Sequence, residues 1–166
     1  LINSTVSGNH ANSYGGGIYN REGSTLTLMN STVSDNYANG GGGIYNKGAT
    51  ALTYSTISGN ESAVWGGGIY NYGALTLTNS TVSHNDASNG GGIFNNGEGI
   101  SLTLTNSTIS GNKAGERGGD IYNVGTLTLT TSTVSGNWSL IHISERTRRY
   151  AISYPVCCLN KKNHAS

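Results

Sequence analysis

The sequence predicts an all-β solenoid, a right-handed parallel β-helix of about five coils, from three observations. A unit of roughly 25 residues recurs along the chain, a period typical of solenoids. Each unit contains three short runs in which apolar residues alternate with Thr or Ser, as expected for strands. Gly and Asn close the runs, and no run is long enough for a helix.

A full unit reads N-S-T-[VI]-S-x-N, a variable polar stretch, G-G-x-I-[YF]-N, a variable turn and L-T-L-T. The units begin at Asn3, Asn30, Tyr54, Asn79 and Asn106, with a partial unit at Thr131. The three runs predict three short strands per coil, each pairing in parallel with its copy about 4.8 Å along the axis. Crossover connections between parallel strands are right-handed.

The apolar residues fall into columns that predict a continuous aliphatic core. One residue of each column recurs in successive units, which places like side chains above one another inside the coil. The columns are Val6, Val33, Ile57, Val82, Ile109 and Val134; Ile18, Ile44, Ile69, Ile93 and Ile121; Leu28, Leu52, Leu77, Leu104 and Leu129; and Leu26, Leu75, Leu102 and Leu127.

Two asparagine columns predict ladders of stacked amides. An asparagine tolerates the left-handed backbone of a tight corner, and its amide can bond the amides above and below it. The first ladder is Asn9, Asn36, Asn60, Asn85, Asn112 and Asn137; the second is Asn20, Asn46, Asn71, Asn95 and Asn123.

An aromatic column alternates with the inward isoleucines and is therefore expected to face outward. It consists of Tyr19, Tyr45, Tyr70, Phe94 and Tyr122. Such a row could bind glycans or a partner protein, whereas the alternative is that the rings stack and are covered by a loop. The variable stretches, such as Ala11–Tyr14 and Ala114–Arg117, are the other expected binding surfaces.

The G-G-G-I-Y-N and S-T-V-S-G-N elements resemble the repeats of bacterial polymorphic outer-membrane proteins. They equally resemble the L-T-L-T-N-S-T-I-S-G-N repeats of large bacterial β-helix surface proteins. The resemblance covers about residues 1–138, and it departs from the outer-membrane family in using Val or Ile where that family has Phe. It implies autotransporter-like display or secretion, with adhesion, so we expect an extracellular or cell-surface location in a bacterium.

Charge argues against a nucleic-acid partner. Residues 1–138 hold four basic and seven acidic residues, a net charge of 4 − 7 = −3. A nucleic-acid binder needs a basic stripe or stacking aromatics with basic neighbours, and neither is present. No run is apolar enough to cross a bilayer. The chain opens inside a repeat without a leader-like run, so we expect a fragment.

Asp120 is the one candidate catalytic residue, because it replaces the third glycine of the G-G-G-I-Y-N element. Glycosidases need paired carboxyls, and neither Glu116 nor Glu98 is placed reliably beside it. A solvated turn position is the alternative. We expect no metal or cofactor: acidic residues do not recur in register, and His10 and His84 lack neighbouring ligands.

The repeat stops at Ser139. The following S-L-I-H-I-S-E-R-T-R and I-S-Y-P-V-C-C-L resemble a translated transposase-type sequencing adapter, so residues 139–166 are expected to be a non-native tail, disordered or docked non-specifically. A natural cap is the alternative, since solenoids need one. Cys157 and Cys158 are adjacent and lack the spacing of a metal site.

The sequence therefore favours a structural or adhesive module without catalysis. The alternative is a piece of a polysaccharide-active β-helix enzyme, a lyase or a glycoside hydrolase, whose catalytic coils lie elsewhere. A remote alternative is ice binding by paired outward threonines of the L-T-L-T strands, although Ala51 interrupts that array.

Overall fold

The structure is a computed structural model, and it describes residues 1–136 together with a short strand at residues 142–143. The regular elements of this part are parallel β-strands arranged in four sheets. None of the described residues forms a helix with the length and hydropathy needed to cross a membrane.

Each sheet collects the same segment of successive repeats. The TVS sheet contains β1 (Thr5–Ser7), β4 (Thr32–Ser34), β8 (Thr56–Ser58), β12 (Thr81–Ser83), β16 (Thr108–Ser110) and β20 (Thr133–Ser135). The IYN sheet contains β2 (Ile18–Asn20), β6 (Ile44–Asn46), β10 (Ile69–Asn71), β14 (Ile93–Asn95), β18 (Ile121–Asn123) and β21 (His142–Ile143). The LTL sheet contains β3 (Thr25–Met29), β7 (Ala49–Thr53), β11 (Ala74–Thr78), β15 (Ser101–Thr105) and β19 (Thr126–Thr130).

The variable stretches form a fourth sheet, in addition to the three strands per coil that the repeat predicts. This variable sheet contains β5 (Tyr37–Gly40), β9 (Glu61–Trp65), β13 (Asp86–Asn89) and β17 (Lys113–Arg117). Its strands differ in length, and bulges interrupt their register. The four strands share one inward position, which is occupied in turn by the small residues Ala38, Ser62, Ala87 and Ala114, all buried.

The other three sheets stack like residues on like. Ile69, for example, pairs with Ile44 in the coil before and with Ile93 in the coil after. The predicted apolar columns pack into one interior cluster, whose members between Leu28 and Ile121 are all aliphatic and almost fully buried. Thr50, also buried, stands at one inward position where the other coils have leucine. Each such side chain contributes roughly 1.5–3 kcal/mol by leaving water. The predicted parallel solenoid of about five coils is confirmed.

Around the first ladder, the corners of the coil lie one position before the asparagines at which the sequence placed them. The ladder asparagines were expected to adopt the left-handed backbone, and this expectation is wrong. Positive φ occurs instead at the first residue of each repeat and just before the first ladder, as at Asn30 (φ 49°) and Asp35 (φ 56°). The reason is that a ladder asparagine must direct its amide at its neighbours along the stack, so the preceding residue makes the turn.

Candidate functional site

The aromatic column forms a packed cluster on the outer face of the IYN sheet. Tyr45, Tyr70 and Phe94 of the column are buried, whereas Tyr19 stays exposed. Rings from other positions cover the buried members, in line with the alternative that the column is stacked and covered. Tyr14 precedes the sheet in the first coil and Tyr72 follows β10, so both come from the variable parts of the repeat.

The rings contact one another across coils. Tyr14 stacks on Tyr45 with centroids 4.7 Å apart, and Tyr19 lies 4.9 Å from the same ring. Tyr70 meets Phe94 edge-on at 5.1 Å. Aromatic pairs contribute about 0.5–1.5 kcal/mol each beyond their burial. The cluster therefore holds its outer rings in fixed positions.

Three outer rings remain accessible and form what we call the tyrosine patch: Tyr14, Tyr19 and Tyr72, which are 38–44% exposed. The Tyr70 hydroxyl donates a hydrogen bond to the Tyr72 hydroxyl (2.8 Å), and Asn96 Nδ2 donates to the same oxygen (2.8 Å). The patch thus combines aromatic faces with neutral hydrogen-bonding groups.

The buried phenols beneath the patch resist ionisation. Burial raises the pKa of Tyr45 to about 12, and the nearby phenols of Tyr19 and Tyr72 add to the shift. Burial also raises the pKa of Tyr70, with a further contribution from its hydrogen bond to Tyr72. Both phenols therefore stay protonated at neutral pH.

The predicted asparagine columns lie in two hydrogen-bonded ladders. In the second ladder each Nδ2 donates to the Oδ1 of the asparagine one coil on, from Asn20 to Asn123, over 2.6–2.8 Å. In the second coil Thr50 takes the place of an inward leucine, and its hydroxyl donates to Asn46 Oδ1 (2.8 Å). The threonine is thus satisfied inside an otherwise aliphatic column.

The first ladder uses each amide oxygen twice. Asn36 donates to Asn60 Oδ1 from its backbone N–H (3.0 Å) and from Nδ2 (2.9 Å), and Asn60 repeats this arrangement toward Asn85. Nδ2 of Asn60 also donates to the carbonyl of Val33 in the preceding coil (3.0 Å). Asn137 lies outside the described residues.

A third ladder, built from serines, was missed by the sequence reasoning. The backbone N–H of each serine at the second position of a repeat donates to the hydroxyl of the next, as from Ser55 to Ser80 (3.1 Å). That hydroxyl donates to the carbonyl two residues earlier, as from Ser55 to Thr53 (2.9 Å). The invariant serine of the N-S-T element in this sequence was the available signal.

Asp120 is fully buried and continues the first ladder. The expectation of a solvated turn is wrong, because its Oδ1 accepts hydrogen bonds from the backbone N–H (3.2 Å) and Nδ2 (2.7 Å) of Asn112. Burial raises its pKa to about 6, against smaller opposite effects of Asn112 and the Ser135 backbone. A carboxyl enclosed in this way cannot contact a polysaccharide, so it does not serve as the candidate catalytic group.

The variable sheet carries charged side chains on its outer face. Glu61 and Asp86 are register partners on β9 and β13, and Asp86 Oδ2 forms an exposed salt bridge with Lys113 Nζ at 3.1 Å. Glu116 accepts a hydrogen bond from Asn89 (3.2 Å). Within the part of the chain that the structure describes, no three His, Cys, Asp or Glu side chains come together as metal ligands.

The remaining singled-out residues lie at the periphery. His10 is exposed and stacks on Tyr37 at 4.7 Å, and His84 occupies an exposed left-handed corner. Trp65 ends β9 and lies 5.7 Å from the Tyr70 ring, so it belongs to the aromatic cluster.

Two sheets carry outward hydroxyl arrays. As the sequence indicates, Ala51 interrupts the outward threonines of the LTL sheet, and Ala49 does so as well. In contrast, the TVS sheet shows a Thr and a Ser on its outer face in all six of its strands, without interruption.

Residues 1–154 match the protein-family model described as the right-handed β-helix region. The chain belongs to this β-helix family. Searches of curated proteins and of solved structures gave no match. The family match runs past residue 138, and β21 of the β-helix pairs with β18 through Tyr122↔His142 and Asn123↔Ile143. The adapter-like origin of residues 139–166 stays a prediction, and the rest of that segment lies outside the described residues.

Proposed function

We propose that this β-helix is a structural and adhesive module of a secreted or surface-displayed bacterial protein, and that its tyrosine patch binds neutral glycans. The observation that supports the binding role is the patch itself. Its three exposed rings are held by buried neighbours, so little side-chain entropy is lost when a ligand binds.

The chemistry of the patch suits a sugar ring better than an ionic ligand. The flat rings offer apolar surface to the C–H face of a pyranose, while Tyr72 and Asn96 offer neutral hydrogen bonds to its hydroxyls. Lys47 Nζ lies 5.9 Å from the Tyr45 centroid, over a buried ring rather than over the three rings of the patch. A neutral oligosaccharide is therefore the proposed ligand class.

The test is binding of the full chain to immobilised neutral polysaccharides such as cellulose, xylan and mannan. We expect Tyr19→Ala and Tyr72→Ala each to weaken binding about fivefold or more, the effect of removing an anchoring aromatic side chain worth about 1 kcal/mol. Tyr54→Ala is the matched control, because Tyr54 is 63% exposed but lies outside the cluster. Equal binding by all three variants would reject the patch as the site.

One observation favours the enzyme alternative. Glu61 and Asp86 occupy adjacent positions of the variable sheet, whose strands are about 4.8 Å apart. A glycosidase, however, needs one carboxyl kept protonated by burial, and the Asp86 side chain is 47% exposed and paired with Lys113. Cleavage of a polysaccharide by the wild-type chain, abolished in Glu61→Gln, would favour the enzyme over the module.

The unbroken Thr and Ser rows of the TVS sheet favour ice binding as a further candidate, since a regular hydroxyl array can order water. Thermal hysteresis of the wild-type chain, lost on replacing Thr56 and Thr81 with lysine, would support that function. Absence of hysteresis in the wild type would exclude it.

A further inference from the structure

A column of glycines lies beside the first asparagine ladder. These residues precede the inward isoleucines, and a Cβ added to any of them would approach the amide of the ladder asparagine one coil on. The distance would be 2.9 Å from Gly17 to Asn36 and 2.9 Å from Gly92 to Asn112. The same Cβ of residue 92 would lie 2.5 Å from the carbonyl oxygen of Asp120. This position therefore requires glycine wherever the next coil places a ladder asparagine beside it.

Asp120 occupies this glycine column in the fifth coil. Its side chain takes the position that the next asparagine amide takes in the earlier coils. Asn112 donates to Oδ1 of Asp120 with its backbone N–H and its Nδ2, the same two donors that Asn85 directs at Asn112 Oδ1. The aspartate thus supplies, from within the same coil, the acceptor for both ladder donors of Asn112.

The second carboxyl oxygen of Asp120 is not satisfied. Oδ2 is buried and has no hydrogen-bond partner. A protonated carboxyl still offers Oδ1 to Asn112 and carries its proton on Oδ2. A carboxylate keeps the two Asn112 bonds at Oδ1 but holds a buried negative charge with Oδ2 unpaired, which costs more than an unpaired hydroxyl. The site is therefore built for the neutral acid.

We propose that Asp120 anchors Asn112 of the first asparagine ladder and acts as a pH-sensitive lock on the fifth coil, closed when the carboxyl is protonated and loosened when it ionises. This device is independent of the proposed glycan binding. It would make residues 113–136 more mobile at neutral pH than in a mildly acidic environment.

The charged side chains near Asp120 do not account for its raised pKa. Lys113, Glu116 and Arg117 lie on β17 directly after Asn112 and are all exposed. His84, also exposed, lies over Gly111 next to the ladder. The causes of the raised pKa of Asp120 are burial, Asn112 and the Ser135 backbone, and none is a charged side chain. The group whose ionisation opens the lock is therefore the Asp120 carboxyl itself.

The direction of the pH effect follows from the raised pKa. The contribution of the neutral acid is complete below the ordinary value of 3.8 and is lost as the pH rises through about 6. The interval is about two pH units, so the opening equilibrium of the coil should rise roughly 100-fold between pH 4 and pH 7.

The test is native-state hydrogen exchange of the full chain at pH 4, 5.5 and 7, corrected for intrinsic exchange rates. In the wild type, protection of the Asn112 amide and of residues 113–136 should fall as the pH rises. Asp120→Asn keeps the acceptor without the charge and should be equally protected at each pH. Asp120→Ala removes the acceptor and should lose protection at every pH. Asp35→Asn, at an exposed corner, is the control and should behave as the wild type.

Two results would overturn the proposal. One is a pH response in Asp120→Asn equal to that of the wild type, because the response would then arise elsewhere. The other is full protection of Asn112 in Asp120→Ala, because the ladder would then not need the carboxyl. A carboxyl carbon NMR titration of wild-type Asp120 adds a check that needs no variant: a midpoint near 4 contradicts the lock, and one near 6 supports it.

Discussion

Replacing Asn60 with leucine, which has nearly the same shape, should destabilise the β-helix strongly. Asn60 Oδ1 is the acceptor for the buried backbone N–H of Asn36, which is left without a partner in the variant. Asn60 Nδ2 also loses its bonds to Val33 and Asn85. An orphaned buried donor costs about 1–3 kcal/mol and each lost hydrogen bond about 1 kcal/mol, giving roughly 3–5 kcal/mol in total.

This loss is large beside the 5–15 kcal/mol that separates typical folded domains from their unfolded chains. The assay is guanidinium denaturation followed by far-UV circular dichroism, with the free energy of unfolding taken from the midpoint and slope. The control is Asn39→Leu, because Asn39 is exposed on β5 and its side chain makes one hydrogen bond, to Asn12. We expect a change below about 1 kcal/mol there. A small effect for Asn60→Leu, or equal effects for both variants, would refute the ladder as a source of stability.

Three further variants test other parts of the structure. Asp120→Asn should increase the free energy of unfolding at pH 7 by about 3 kcal/mol and therefore raise the melting temperature. It should also abolish the decline in stability that the wild type shows between pH 4 and pH 7. Gly67→Ala should prevent regular stacking, because its Cβ would lie 2.4 Å from the Asp86 carbonyl oxygen, whereas Gly115→Ala, with its nearest neighbour at 3.9 Å, should fold normally. Deleting residues 139–166 should leave the melting temperature unchanged or higher; a clear decrease would identify the segment as a natural cap.

The interior of the β-helix could be predicted because each position repeats. Ile69 is one of five isoleucines in a column, and burying one requires burying all, so the column carries information that a single residue lacks. The same argument places Asn60 among stacked amides. The serines that include Ser55 recur at the second position of every repeat, so the same argument applies to the serine ladder.

The outer face could not be predicted in the same way. Tyr45 is covered by Tyr14 and approached by Tyr72, and both belong to stretches that do not repeat. Asp120 is a single exception to a glycine column, and its buried carboxyl accepts a hydrogen bond from the ladder amide of Asn112. Features that occur once leave no pattern in a single sequence, so their geometry requires the structure.

In this β-helix, residues at the same position of successive repeats stack directly on one another. Pairs of introduced cysteines test this stacking. In a background with Cys157 and Cys158 replaced by serine, Thr56→Cys with Thr81→Cys joins register partners about 4.8 Å apart, within disulfide range. Thr56→Cys with Ser83→Cys is offset by two residues, about 8 Å, which is too far to bridge. We expect rapid oxidation of the Thr56→Cys, Thr81→Cys pair and none of the offset pair. Equal oxidation of both pairs, or of the offset pair only, would contradict the stacking.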